Sequence, residues 1–160
     1  MEARALEIKA ALTAIFGTIG LFVGWKGALC LIWLVSMLLD YISGSIAARK
    51  NNEWDSSVAR EGLYHKGGTI LVVLVAAITD AVLCLVALQL PMLNVTWPGL
   101  LFPLVLVWYI ITEFGSILEN SIKMGAPIPH WLARGMVIMQ QKIDDAGSDA
   151  VDKLEEGSEN

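Results

Sequence analysis

The chain has 160 residues, of which 56% are hydrophobic and 17% charged, with a formal net charge of -5 at pH 7. Globular chains carry about a quarter charged residues, so this composition excludes intrinsic disorder and argues against a soluble enzyme. The charge is also uneven: residues 144–160 hold seven of the sixteen acids and one base, Lys153, leaving ten bases against nine acids in residues 1–143. The acidity belongs to a tail, and no clustered basic face of the kind nucleic acid requires is present.

Charged residues are missing from 10–25, 27–39, 67–79 and 81–112, stretches of 16, 13, 13 and 32 residues. A bilayer is crossed by about 20 apolar residues, and the longest stretch is broken by Pro91, Pro98 and Pro103, with Asn94 and Thr96 between them. It therefore divides into two spans. In chain order the predicted elements are a span over 6–23, diluted by Gly17 and Gly20; a tight turn from Gly24 to Gly27; a span over 28–48; a polar loop over 49–66; a span over 67–90; a short proline-rich loop; and a span over 99–119. The near-neutral start (Glu2, Arg4, Glu7, Lys9) and the lack of a small-x-small site after Val23 make the first span uncleaved rather than a removed leader.

After Gly125, Pro127 and Pro129 end the last span, Ile128, Leu132, Met136, Met139 and Ile143 fall on one helical face, away from His130, Arg134, Gln141 and Lys142. This predicts an amphipathic helix within 124–143, lying on the inner membrane surface or against a neighbour. Residues 144–160 are expected to be a disordered acidic tail. The predicted fold is thus an all-α integral membrane protein with about four transmembrane helices in a 1–123 domain. Ten of the eleven lysines and arginines lie in the two termini and the 49–66 loop, against Lys26 alone on the other side. That bias places both termini in the cytoplasm, and Trp25, Trp54, Trp97 and Trp131 fall at the span boundaries where amphipathic rings prefer to sit.

Three acids, Asp40, Asp80 and Glu113, lie inside these spans, with Glu119 at the inner end of the last. An ionised carboxylate facing lipid costs on the order of 3 kcal/mol, so each is expected to face other helices or water, or to be protonated. Ser36, Asp40, Gly44 and Ala48 recur every four residues, as do Gly68, Ala76, Asp80 and Cys84 with Val72 in the row, and Thr112, Ser116 and Asn120 form a further polar row. Rows of small residues let helix backbones approach closely. They suit a monomeric bundle, self-association with Asp40, Asp80, Glu113 and Glu119 lining or gating a path that opens on assembly, or a proton-coupled site.

Chemistry of other kinds finds no residues to carry it. Two histidines, His65 and His130, in separate segments make no triad, and there is no glycine-rich phosphate loop and no metal-ligand cluster. No catalytic residue, metal or cofactor is predicted. Cys30 and Cys84, each alone in an apolar stretch, read as small reduced packing residues. The Asn94-Val95-Thr96 sequon reads as a chance match.

Asp40-Tyr41-Ile42-Ser43-Gly44 ends one span and is followed by Ala47-Ala48-Arg49-Lys50. Ser56-Ser57 and Glu61-Gly62-Leu63 lead to Lys66, and the series closes with Glu113, Ser116-Ile117-Leu118-Glu119-Asn120 and Gly125-Ala126-Pro127-Ile128-Pro129. Over roughly 28–132 this pattern resembles the phage lysis and toxin-secretion holins, the group that includes clostridial toxin-release holins. The resemblance implies a multi-pass protein of the bacterial cytoplasmic membrane that assembles as a homo-oligomer into lesions, through which an endolysin or a toxin leaves the cell. By position it carries over Asp40, Gly44, Lys66, Glu113, Glu119, Asn120, Gly125, Pro127 and Pro129. The acidic ending and the four spans depart from holins that end in a basic tail or have fewer spans. A small proton-coupled transporter and a membrane adaptor acting through the acidic tail are the competing expectations, and an antiholin would be built from the same parts.

Overall fold

The computed structural model describes the backbone of residues 2–90, 92 and 97–158, with side chains described for 24–57, 60–90, 92 and 97–153. Four helices account for it: α1 (Glu2–Lys50), α2 (Ser56–Gln89), α3 (Leu101–Lys123) and α4 (His130–Ser158). Three segments among the described residues are long and apolar enough to cross a membrane: Gly24–Lys50, Arg60–Gln89 and Leu101–Lys123. They coincide with the predicted spans 28–48, 67–90 and 99–119. The 6–23 span falls in the helical first part of α1, but its side chains lie outside the described residues, as do Pro91, the Asn94–Thr96 sequon and the side chains of 154–160.

The predicted four-residue turn is a single break. α1 leaves helical geometry only at Gly24 (φ 70°, ψ 174°), a left-handed φ that glycine adopts without a Cβ penalty. The 49–66 loop is also shorter than expected, because α2 begins at Ser56. Asp55 caps it by accepting the Ser57 N–H at 2.8 Å, a side-chain acceptor for one of the amides a helix start leaves free. This early start carries Lys66 into the helix interior instead of leaving it at a loop end.

α3 is the central helix, packed by α1, α2 and α4. On α1 the inward side chains include Trp33, Ser36, Met37 and Ala47; on α2, Thr69, Val73, Ala76 and Asp80; on α3, Leu106, Ile110 and Glu113. The spacing of three and four residues along α2 is the seam of a helix packed at a shallow angle. Trp33, Met37, Val73, Leu106 and Ile110 form the hydrophobic core between the three helices. The outer surface reverses the pattern of a water-soluble protein: Leu34, Leu38, Ile46, Leu71, Val75, Ile78 and Leu85 are exposed while Ser36, Thr69, Asp80 and Glu113 are buried. Such a surface is stable against hydrocarbon, where polar groups must be satisfied within the protein. The chain is a membrane protein.

The C-terminal region departs from expectation. α4 runs unbroken from His130 to Ser158, so the helix expected within 124–143 continues through most of the stretch expected to be a disordered tail over 144–160. Ala150 is buried, and Ile143, Gly147 and Val151 lie alongside Leu101, Leu104, Val105 and Trp108 of α3. Ile143, Gly147 and Ala150 continue the docked face of Leu132 and Met136 at helical spacing. This contact supplies the packing that an acidic segment alone lacks.

Candidate functional site

The three membrane-length helices are joined by charge. Lys66 Nζ on α2 donates to Asp40 Oδ2 on α1 at 2.9 Å and to Glu113 Oε2 on α3 at 2.7 Å. The Lys66 side chain is 14% exposed and that of Glu113 9%. Asn120 on α3 donates through Nδ2 to Asp40 Oδ1 and to Ser43 Oγ, both at 3.1 Å. One lysine thus serves two intramembrane carboxylates, and an amide satisfies the remaining oxygen of Asp40. Both acids resolve the desolvation problem by pairing rather than by facing lipid.

Close approach of α1 and α3 depends on Gly44. A Cβ built there would stand 3.4 Å from Asn120 Nδ2, so any longer side chain would push the amide off Asp40. A cavity of about 420 Å3 opens beside this network. Its walls include Asp40, Lys66 and Asn120 from the network and the more exposed Trp54, Glu119 and Lys123. Glu113 is not among the lining residues, so the cavity reaches the Asp40–Lys66 pair and stops short of the deeper carboxylate.

Asp80 does something else. It is 6% exposed and accepts the backbone N–H of Leu101 at 3.1 Å, that of Phe102 at 2.9 Å and the Trp97 indole N–H at 2.7 Å. It therefore caps α3 from α2, placing a carboxylate against the positive end of the helix dipole. Lys26 donates to the Gly99 carbonyl at 2.9 Å, and at Gly99 the left-handed φ of 72° strains any side chain, whose Cβ would also sit 3.0 Å from Lys26 Nζ and press on that ammonium.

The other end of α3 mirrors this arrangement. Gly125 (φ 94°) follows the last turn, its N–H bonding Ile122 O at 2.8 Å while the Ala126 N–H bonds Ser121 O at 3.0 Å. This is the paired closure by which a left-handed glycine ends a helix. Lys50 of α1 donates to the Met124 carbonyl, setting a cation at the negative end of the dipole. The central helix is thus held at its start by a carboxylate from α2 and at its end by an ammonium from α1.

Of the residues singled out in sequence, Asp40, Lys66, Glu113 and Asn120 meet in one network, with Gly44 against it. Ser36 is buried with its hydroxyl turned onto the Trp33 carbonyl at 2.8 Å. Ala76 is buried on the same face of α2 as Asp80, Cys84 Sγ lies 3.8 Å from Trp97 O, and Ala48 lines the cavity. Glu119 is exposed on the cavity wall, outside the network; Pro127 and Pro129 lie in the connector before α4. Lys66, expected at the end of the polar 49–66 loop, is the counter-charge of both acids, which nothing in its local sequence signals. The capping role of Asp80 was likewise not read from the sequence, although Trp97 and Gly99 in the following loop are signals for it. Among the described residues no three His, Cys, Asp or Glu side chains are grouped to hold a metal.

Helices of membrane length with polar groups turned inward define a polytopic α-helical membrane protein without a metal-binding cluster among its described residues. Residues 17–141 match the bacteriophage holin family, and the chain belongs to that non-enzymatic family of membrane proteins. It is similar to an uncharacterized 14.9 kDa protein in the nagH 3′ region of Clostridium perfringens, at 34% identity over 109 residues, 68% of this chain and 74% of that protein. It also resembles an uncharacterized protein of Halalkalibacterium halodurans (30% over 109 residues, 68% and 76% of the two chains). A third relative, from Listeria innocua, is 29% identical over 131 residues, 82% of this chain and 80% of its own. No solved structure matches the chain.

Proposed function

We propose that the protein is a holin that accumulates in the bacterial cytoplasmic membrane and assembles with copies of itself into lesions that release an endolysin or a toxin. The observation that carries this reading is the Asp40–Lys66–Glu113 network within a chain of the holin family. A monomer whose intramembrane charges are mutually paired inserts without exposing them to lipid. Its small-residue faces and its acids, Asp40, Glu113, Asp80 and Glu119, are the candidates for packing and gating when copies meet. The process needs no catalysis: the work is done by helix association and by water entering where charges become solvated.

The geometry gives less support to a proton-coupled transporter. Such a site needs a carboxylate free to exchange its proton with substrate, whereas Asp40 and Glu113 share one lysine and Asp80 is engaged by three N–H donors. The test is expression of the full chain in a bacterium, alone and with a cytoplasmic endolysin lacking an export signal, following culture density and membrane potential. Abrupt loss of potential, with lysis only when the endolysin is present, is expected. A membrane-inserted chain that changes neither would overturn the reading in favour of an adaptor or an inhibitor of lesions.

A further inference from the structure

We infer that the cavity beside the Asp40–Lys66 pair binds the headgroup of a phospholipid carrying both a phosphate and a primary amine, an ethanolamine phospholipid.

Location points to a lipid. The membrane-length segments of α1 and α3 end at Lys50 and Lys123, and the cavity is walled by Trp54 and Asp55 just past the first of these ends and by Glu119 and Lys123 at the second. It therefore lies where hydrocarbon gives way to water, the level of headgroups and the level at which tryptophan and tyrosine rings prefer to sit. Tyr41 is a further wall residue and is 43% exposed. Three and seven residues before it on α1 stand Leu38 and Leu34, both exposed, and residues at that spacing share one helix face. An apolar strip thus leads from the edge of the cavity into hydrocarbon. A headgroup held in the cavity can lay its acyl chains along this strip, a surface that a water-soluble ligand leaves unused.

Size and charge define the headgroup. The volume of about 420 Å3 falls within the range of about 300–1,000 Å3 that small-ligand sites occupy. The walls carry four carboxylates, Asp40, Glu53, Asp55 and Glu119, against two ammonium groups, Lys66 and Lys123. A purely anionic headgroup meets this excess of negative charge, and a purely cationic ligand leaves Lys123 without a partner. Among the described residues both ion pairs belong to Lys66, so neither Glu119 nor Lys123 is engaged in one. These two stand one turn apart on α3, their Cβ atoms about 5–6 Å from each other, and offer opposite charges side by side on the cavity wall. An ammonium and a phosphate joined by two carbons match that pair: the amine donates to Glu119, and the phosphate oxygens accept from Lys123. A primary ammonium has three N–H donors for such carboxylates, whereas a trimethylated one has none. The walls come from all three membrane-length helices, Asp40 from α1, Lys66 from α2 and Glu119 from α3, so an occupied cavity favours the packed bundle over the separated helices.

The test uses the full chain purified in a mild detergent and mixed with phospholipids of identical acyl chains bearing ethanolamine, choline or glycerol headgroups. Native mass spectrometry counts the retained lipid, and circular dichroism follows thermal unfolding. The variants are Glu119→Gln and Lys123→Gln, both at exposed positions outside the Asp40–Lys66–Glu113 network, with Lys142→Gln on α4 as the comparison. The expected result is one ethanolamine lipid per chain, bound at least tenfold more tightly than the other two and raising Tm. Each cavity variant should weaken that binding at least fivefold, and Lys142→Gln should not. Equal affinity for the three headgroups, or ethanolamine-lipid binding unaffected by either cavity substitution, would overturn the assignment. Displacement of the lipid by an equal concentration of soluble phosphoethanolamine would overturn the lipid as occupant in favour of the free zwitterion. Binding is read without lysis, so its failure leaves the holin reading standing, and a chain that binds the lipid yet forms no lesion loses only that reading.

Discussion

The Lys66 ammonium stands 2.7 Å from Glu113 Oε2, bridging α2 and α3, while the same nitrogen reaches Asp40 of α1 at 2.9 Å. Two acids and one base leave the cluster formally one unit negative, and among the described residues the Asn120 amide is the one further donor to Asp40. Removing the lysine would strand two carboxylates at once. Removing one acid would leave a balanced pair.

Lys66→Met is therefore expected to destabilise the bundle by about 3–5 kcal/mol, the usual cost of breaking a buried pair. Adding Asp40→Asn and Glu113→Gln to the same chain should recover most of that loss, because no uncompensated charge remains. Asn120→Ala, which removes only a neutral donor, should cost about 0.6–1.7 kcal/mol. Thermal unfolding in detergent, followed by circular dichroism, ranks the variants; a Lys66→Met chain as stable as the parent would refute the pairing.

Gly44→Ala should be tolerated, since its Cβ would sit at contact distance, 3.4 Å from Asn120 Nδ2. Gly44→Leu should displace Asn120, separate α1 from α3 and shift the time of lysis. Lysis timing at matched membrane levels reads the difference, and equal timing for the two variants would show that this approach has no part in triggering.

Asp80→Ala should cost about 1–2 kcal/mol as a lost helix cap and raise hydrogen exchange at the Leu101 and Phe102 amides, the groups Asp80 accepts. Protection unchanged at both amides would contradict the capping role.

Two glycine replacements should differ in sign. Gly125 has φ 94°, and a Cβ there would lie 3.3 Å from Lys50 Nζ, whereas the helical Gly115 has open space around it. Gly125→Ala is expected to lower Tm, and Gly115→Ala to raise stability by up to about 1 kcal/mol through helix propensity. Unfolding temperatures of the two variants moving in the same direction would be inconsistent with this assignment.

The start of α2 carries a pH dependence. The Ser57 N–H holds the Asp55 carboxyl below its ordinary value of 3.8, so the folded pKa is the lower one and the cap's contribution is present in full above the unfolded value. It should be lost as pH falls below 3.8 through the folded pKa. Exchange at the Ser57 amide should rise across that acidic range in the parent, and Asp55→Asn should abolish the dependence.

The positions of three membrane-length helices were legible in the sequence because hydropathy summed over about 20 residues is local and needs no partner. That Asp40 and Glu113 turn away from lipid, toward helices or water or in protonated form, was an expectation from the cost of charge in lipid, and the end of α3 was legible from Gly125. What the sequence left open was which groups meet. Lys66 lies 26 residues from Asp40 and 47 from Glu113, and their contact depends on α2 starting at Ser56 and on the rotation and depth of three helices, none of which is set within a single segment. An acid in a span carries no mark of its partner, so the role of Asp80 as a cap was not legible until the return of the chain at Leu101 brought N–H donors to it. Likewise the acidic stretch after Ile143 has the composition of a solvated tail, and only the flank of α3 supplies the apolar surface against which it packs as a helix. Hydrophobicity acts on each segment separately, whereas pairing, capping and docking act between segments, and those were decided by the tertiary structure.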